Sequence, residues 1–327
     1  MNRMAAKKEP WTLVVPSLKD PRCTIAAALP LWTVLGQTAY YFNRDPLQLG
    51  VAIASACSID FAITAFWRRQ VALPLSAYIT ALSVGILLES YDWRVFVVAP
   101  ACGVLSKYLI RDRTRHFFNP SNFAIVTALV LGHGLASVAP GSQWGADYRV
   151  AFVIIGLGMI MMTRLKLLDL ALAWMGGFVV MSLLRMALGQ GGLVFALGPL
   201  TGAEFALFTF SMLPDPKTSP PTRAGRVGWG LSIAVIDGVL RYLEIRYSMF
   251  YALFIHCAML PFLRALAART GFQESDPWRI LRIPFRTSPP TATPTFQAAQ
   301  VAGRTEATPV VARAGSVEAG VGDRRAK

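Results

Sequence analysis

Charge is what this chain has least of. Of 327 residues, only 15% are Asp, Glu, Lys or Arg, while 54% are hydrophobic. A soluble protein ordinarily carries about 25% charged residues. The shortage, with the apolar residues gathered in long runs, excludes an ordinary water-soluble globule. Cysteine is also scarce. Cys23, Cys57, Cys102 and Cys257 lie in or beside apolar runs, and no two stand at CxxC spacing. That excludes a disulfide framework and leaves them as small buried hydrophobes; an iron–sulfur cluster would need ligands shared with another subunit. Of the 3 histidines, only His256 is mid-run, with His133 near a run's end and His116 in a loop. A bis-histidine haem needs two that face each other. No Walker loop, no GxGxxG after a strand, no HExxH and no GxSxG occurs, which argues against ATP hydrolysis or Rossmann-type NAD chemistry in this chain.

Acidic residues are outnumbered 18 to 32, for a net charge of +14. No aromatic–basic module of a nucleic-acid binder accompanies the excess, so no nucleic-acid partner is expected. The positive residues sit instead in short loops and in the tail, where positive-inside sorting at a lipid bilayer places them.

What is present is a series of apolar runs. They predict an all-α polytopic membrane protein with about ten spans, at 23–42, 47–67, 72–88, 93–110, 120–138, 150–164, 167–187, 193–213, 227–243 and 247–266. Alternate loops are basic: Arg68-Arg69, then Arg111, Arg113 and Arg115, then Arg164 and Lys166, then Lys217, Arg223 and Arg226. The loops between are poor in positive charge, apart from the Arg241/Arg246 turn, which also holds Glu244. This alternation predicts a cell-membrane protein with both termini cytoplasmic. An even split of the spans, about five per half, inverts one half against the other, the inverted-repeat plan of many transport proteins. Residues 1–22 are expected to form a basic cytoplasmic segment without a cleavable leader, 23–268 the membrane domain, and 269–327 a disordered tail whose arginines suit anionic lipid.

One connector stands out. Met212-Leu213 closes an apolar run, and Pro214, Asp215, Pro216, Lys217, Thr218, Ser219, Pro220, Pro221 and Thr222 follow, with Arg223 and Arg226 beyond. So many prolines cannot continue a helix. Irregular polar backbone at membrane depth must be covered by protein or water. Asp215, Lys217, Thr218, Ser219 and Thr222 are therefore candidate ligand-binding residues. A second cluster is Arg115-His-Phe-Phe-Asn-Pro-Ser-Asn122. Asn119 reads as a helix cap with Pro120 at the first position. Asn122 goes beyond what capping needs, and both asparagines are candidate binding residues. Each cluster leads into a helix N-terminus that favours an anion.

Ionisable residues within the runs are functional candidates by default. Asp60, Glu204, Asp237 and His256 sit deepest, and each suits either an ion pathway or a structural pair with another helix. Lys107 and Arg185 lie nearer the ends, where snorkelling accounts for them.

The two clusters carry a family resemblance. FFNPSNFAIVTALVL resembles the FNPA-type segment of the NqrB/RnfD family, and LTGAEFALFTFSMLPDPKTSPPTRAGR resembles that family's SGA…FF…TDPVT…T…GR stretch. The segment LRYLEIRYSMFYALFIHCAMLPFL is similar in character to the family's last helices, and the likeness covers roughly residues 20–268. The NPSN and LPDPKTSP forms look closer to a stand-alone branch encoded with enediyne biosynthesis genes. The pump members are membrane subunits of the sodium-translocating NADH:quinone reductase and of the Rnf ferredoxin:NAD oxidoreductase. The resemblance implies a flavin-associated electron-transfer subunit, working with other redox subunits and coupled to Na+ or H+ movement. It also implies FMN or riboflavin as cofactor. Covalent FMN in that family uses an S(G)AT threonine, but His133–Arg149 holds no threonine and Thr201 matches a different position, so a non-covalent flavin is expected. A solute carrier on the same scaffold, or a membrane scaffold without redox chemistry, is the alternative.

Overall fold

A computed structural model describes residues 12–14, 21–39, 45–67, 69–112, 115–132, 134–138, 148–215 and 218–269. Lys217, His133, most of the 133–149 loop and the tail after 269 fall outside the described residues. The chain divides into two units, Met1–Ile280 and Leu281–Lys327, and the second contains no described residue.

The fold is all-α in its main elements. Helix α1 runs Pro21–Ala39, α2 Pro46–Ala62, α3 Leu75–Leu87, α4 Val95–Leu109, α5 Pro120–Leu131 and α6 Tyr148–Leu165. Then come α7 Leu168–Ala187, α8 Leu193–Leu197, α9 Ala203–Leu207, α10 Arg223–Tyr242 and α11 Ser248–Arg269. Three small two-stranded pairings trim the loops. β1 (Thr12–Val14) is parallel to β2 (Gln70–Ala72). β3 (Leu88–Glu89) runs antiparallel to β6 (Ser137–Val138), and β4 (Arg111–Asp112) to β5 (Arg115–His116).

Local chemistry explains several helix starts. Asp45 caps α2 by accepting from the Leu47 N–H at 2.8 Å, with Pro46 at the first position. Asn119 does the same for α5, and Thr222 caps α10. Each cap satisfies an N–H that the helix cannot. The tight link between α6 and α7 turns at Lys166, whose φ of 58° is left-handed. The Leu167 N–H then bonds back to the Met162 carbonyl at 3.0 Å, closing the helix end.

Every expected apolar run coincides with helical structure, but not every helix is a full span. Among the described residues two are long and apolar enough to cross a membrane, Pro46–Trp67 and Leu168–Ala187. The expected span 193–213 is broken: Leu193–Thr201 and Glu204–Met212 meet at 56°, and they make a third crossing only if counted as one. The break follows from Gly198, Pro199 and Gly202, which interrupt the α-helical ladder with a 3₁₀ turn at Gly198–Thr201. The second piece ends in a π turn, Phe208–Met212. Helices α3, α4 and α5 have 13, 15 and 12 residues. At 1.5 Å per residue each is about 20 Å long, against about 30 Å of hydrocarbon.

The first five helices pack among themselves, with α3 against α1, α2, α4 and α5, and α4 against α2 and α5. The later helices pack around a tight α7–α10 crossing, with α11 against α10 and α6 against α9. Contact of α5 with α11 joins the two groups. Small residues allow the α7–α10 approach: a Cβ on Gly230 would lie 2.8 Å from both the Leu170 carbonyl oxygen and the Trp174 nitrogen. This is the small-residue packing that membrane helices use in place of a hydrophobic drive. The buried aromatic group Trp174, Phe178, Phe205, Phe208 and Phe250 fills the space between α7, α9, the π turn and α11.

Candidate functional site

Both sequence clusters come together. The Asn119 side-chain oxygen accepts from the N–H groups of Ser121 at 2.9 Å and Asn122 at 3.1 Å, capping α5. Its amide nitrogen donates to the carbonyl of Met212, 93 residues away, at 2.8 Å. That carbonyl ends the π turn just before the proline-rich connector. His116 stands on the same side, its Nε2 lying 3.7 Å from Asp215 Oδ2, an ion pair when the imidazole is protonated. The Asp215 carbonyl accepts from the N–H groups of Thr218 and Ser219, at 3.1 and 2.9 Å, and from the Thr218 hydroxyl at 3.3 Å. Asn122 donates to the Phe250 carbonyl at 3.1 Å, tying α5 to α11. Two oxygens here are buried without a protein partner, Asn122 Oδ1 and Ser219 Oγ.

Thr222, which closes the connector, accepts from the Gly225 N–H at 3.1 Å. Beyond it, Arg226 grips both oxygens of Asp169 at 2.8 and 2.7 Å and donates to the Pro221 carbonyl at 2.9 Å. This bidentate pair joins the first turns of α7 and α10, so the two helices run in the same direction. The irregular backbone is covered by protein: Phe208, Thr209, Phe210 and Met212 are all buried, and the Trp174 indole donates to Thr209 Oγ1 at 2.9 Å.

The residues considered for an ion pathway lie in different places. Asp60 accepts from Lys107 Nζ at 2.8 Å and from the Tyr108 hydroxyl at 2.7 Å, a buried link between α2 and α4. Lys107 also reaches Ser76 Oγ on α3 at 3.5 Å. Lys107 therefore does not snorkel; it neutralises a buried carboxylate on a neighbouring helix. Asp237 accepts from Arg241 Nε at 2.8 Å and from the Ser248 hydroxyl at 2.6 Å. Arg185 is buried near this pair, bonded to Ser182 Oγ at 3.4 Å and with its Nε lacking a partner. It too points inward rather than out.

His256 Nδ1 lies 2.9 Å from Ser232 Oγ on α10, and that hydroxyl is 2.8 Å from the Trp229 carbonyl. With the hydroxyl donating to the carbonyl, Nδ1 carries the ring proton and Nε2 is an acceptor. Nε2 and the adjacent Trp229 indole N–H are both buried and unpaired. Glu204, in the first turn of α9, lines a cavity of about 300 Å³ together with Arg241, Arg246, Tyr247 and Ser248. The cavity lies at the C-terminal end of α10 and the start of α11, where its lining residue Met249 directly precedes Phe250, the partner of Asn122.

The structure thus gathers Asn119, Asn122, Asp215, Thr218 and Ser219 at one helix junction, while Thr222 serves as the cap of α10. The Asp60 pair lies between α2 and α4, while the Asp237–Glu204 region adjoins the junction through the first turn of α11, where Ser248 bonds Asp237 and Phe250 bonds Asn122. Sequence reasoning missed His116, Tyr108, Asp169, Ser232 and Ser248 as partners. Only His116 carried a signal, its place directly before Phe-Phe-Asn-Pro; the others are ordinary residues until the helices are packed. Among the described residues no cluster of three or more His, Cys, Asp or Glu is arranged to hold a metal ion. No family model matches the chain, and no curated protein matches it either.

Proposed function

We propose that the chain is a membrane subunit of an electron-transport system of the RnfD/NqrB kind, coupled to movement of Na+ or H+. One observation carries the reading. The two motifs behind the resemblance, far apart in sequence, are bonded to each other through Asn119 and Met212 and face each other through His116 and Asp215. In this reading the chain crosses the bilayer about ten times with both termini cytoplasmic, and the short helices α3 to α5 match the hydrocarbon through local thinning and flanking polar residues. The end of the connector at Thr222 and Arg223 then faces the cytoplasm, where soluble electron donors are met.

A flavin, FMN or riboflavin, supplies one- and two-electron transfer when bound. Asn122 Oδ1 and Ser219 Oγ are buried polar atoms without protein partners, and they fit hydrogen bonds to a non-covalent flavin. Phosphoester attachment is not part of the proposal, because the S(G)AT threonine is missing. Ion movement draws on Glu204 and His256, which keep free polar capacity. Asp60 and Asp237 hold helices together.

The test uses protein from its native membrane. Ser219→Ala and Asn122→Ala each lower flavin affinity about fivefold, the effect of one hydrogen bond of about 1 kcal/mol. Unchanged affinity in both variants overturns the assignment of these residues. A second reading, a carrier for a small solute, is favoured by the cavity at Glu204.

A further inference from the structure

The Glu204 carboxylate has no hydrogen-bond or salt-bridge partner among the described residues, although it lies in the first turn of a helix and is half-buried. It borders the cavity of about 300 Å³, a size at the small end of ligand pockets. Arg241 and Arg246 line the same cavity. Arg241 is neutralised by Asp237 through Nε, which leaves its two terminal nitrogens without a hydrogen-bond partner among the described residues. Arg246 is exposed and likewise unpaired among them. The start of α11, at Tyr247, Ser248 and Met249, also lines it, so the positive end of a long helix borders the cavity. Glu244 and Tyr247, at φ 59° and 58°, hold the turn in left-handed geometry that non-glycine residues rarely adopt.

The cavity therefore has two poles. One is an unpaired carboxylate; the other is arginine plus a helix N-terminus. Counting Asp237 with Arg241 and Glu204 with Arg246, the charges cancel. A lone cation would face two guanidinium groups, and a lone anion would face Glu204. A ligand carrying both charges meets neither conflict. The remaining lining, Pro199, Phe205, Ile245 and Met249, is apolar.

We propose that this cavity binds a small zwitterion with an apolar side chain, of the α-amino-acid type. Glu204 takes the ammonium group. Arg246, the terminal nitrogens of Arg241 and the start of α11 take the carboxylate. The site adjoins the Asn119 junction: its lining residue Met249 directly precedes Phe250, whose carbonyl Asn122 holds. It goes beyond the electron-transport reading and does not depend on it, since a flavin-free protein keeps the same cavity.

The experiment is equilibrium binding of radiolabelled L-leucine, L-methionine and L-phenylalanine to the detergent-purified full chain, with flavin content measured in parallel. At least one binds saturably. Its one-pole analogues, the deaminated acid and the amide, compete at least about tenfold more weakly, as expected when a charge-assisted bond is lost. Glu204→Gln weakens binding by a similar factor. Arg246→Gln, on an exposed side chain, does the same and keeps the test open if the Glu204 variant fails to fold. Absence of saturable binding by all three amino acids overturns the proposal. So does equal competition by the one-pole analogues, or unchanged binding in both variants. None of these outcomes depends on flavin, so failure here is distinguishable from failure of the electron-transport reading.

Discussion

Replacing Asn119 by alanine removes three hydrogen bonds at once, and the structure divides their cost. Two are cap bonds to the Ser121 and Asn122 N–H groups. Losing a helix cap costs about 1 kcal/mol. The third is the bond to the Met212 carbonyl. Its loss leaves a buried acceptor unpaired, at about 1–3 kcal/mol. Asn119→Ala is therefore destabilised by about 2–4 kcal/mol. Asn119→Ser separates the two contributions, because serine caps a helix as well as asparagine but cannot reach Met212. Serine recovers about 1 kcal/mol relative to alanine and no more. The assay is thermal unfolding of detergent-solubilised protein at one fixed scan rate, with limited proteolysis of the 214–222 connector as a local readout. The connector is cut faster in both variants, because the bond that anchors its start is gone in both. If alanine, serine and wild type melt together and are cut at the same rate, the motif junction is not held as described.

Lys107→Met strands the Asp60 carboxylate in a buried site and destabilises by about 3–5 kcal/mol, while pairing it with Asp60→Leu restores most of the loss; thermal unfolding of the two variants checks this. Gly230→Val drives a side chain into the Leu170 carbonyl and the Trp174 backbone and costs about 1–3 kcal/mol or more. Gly176→Ala, where a Cβ meets nothing within 4 Å, is the neutral control. Asp92 lies in a loop, where the Arg94 backbone N–H, then the Arg94 side chain, hold its carboxyl below the usual carboxylate range. Its contribution to stability is thus present above the unfolded carboxylate value and fades as pH falls through the lower folded value. NMR titration of Asp92 against Asp92→Asn checks the direction.

The Asn119-Pro120 helix start was read from the sequence because its signal is local, and the starts of α2 and α10 carry signals of the same kind. Asp45-Pro46 and Asn119-Pro120 each place a cap and a proline side by side, and Thr222 precedes α10 directly. The break within 193–213 was legible in principle, since Gly198, Pro199 and Gly202 are all helix-breakers; the apolar run hid it. The π turn at Phe208–Met212 had no such signal, because its residues suit an ordinary helix. At the site, the motif residues were identified in sequence, but their bonding to each other was not. Asn119 reaches Met212 and Lys107 reaches Asp60 across sequence separations that only packing closes. The same reason made Lys107 and Arg185 look like end-of-helix cations, although both are turned inward. Glu204 and Asp237 looked equivalent in sequence. Arg241 and Ser248 fill the needs of Asp237, while nothing described does so for Glu204.

The most direct test of the electron-transport proposal is an absorbance and fluorescence scan of the protein purified from its native membrane, repeated on the supernatant after acid precipitation. The account predicts a flavin spectrum that is bleached by dithionite, returns in air, and passes into the supernatant on precipitation. Protein from the native membrane that carries no flavin contradicts it and leaves the carrier reading in its place.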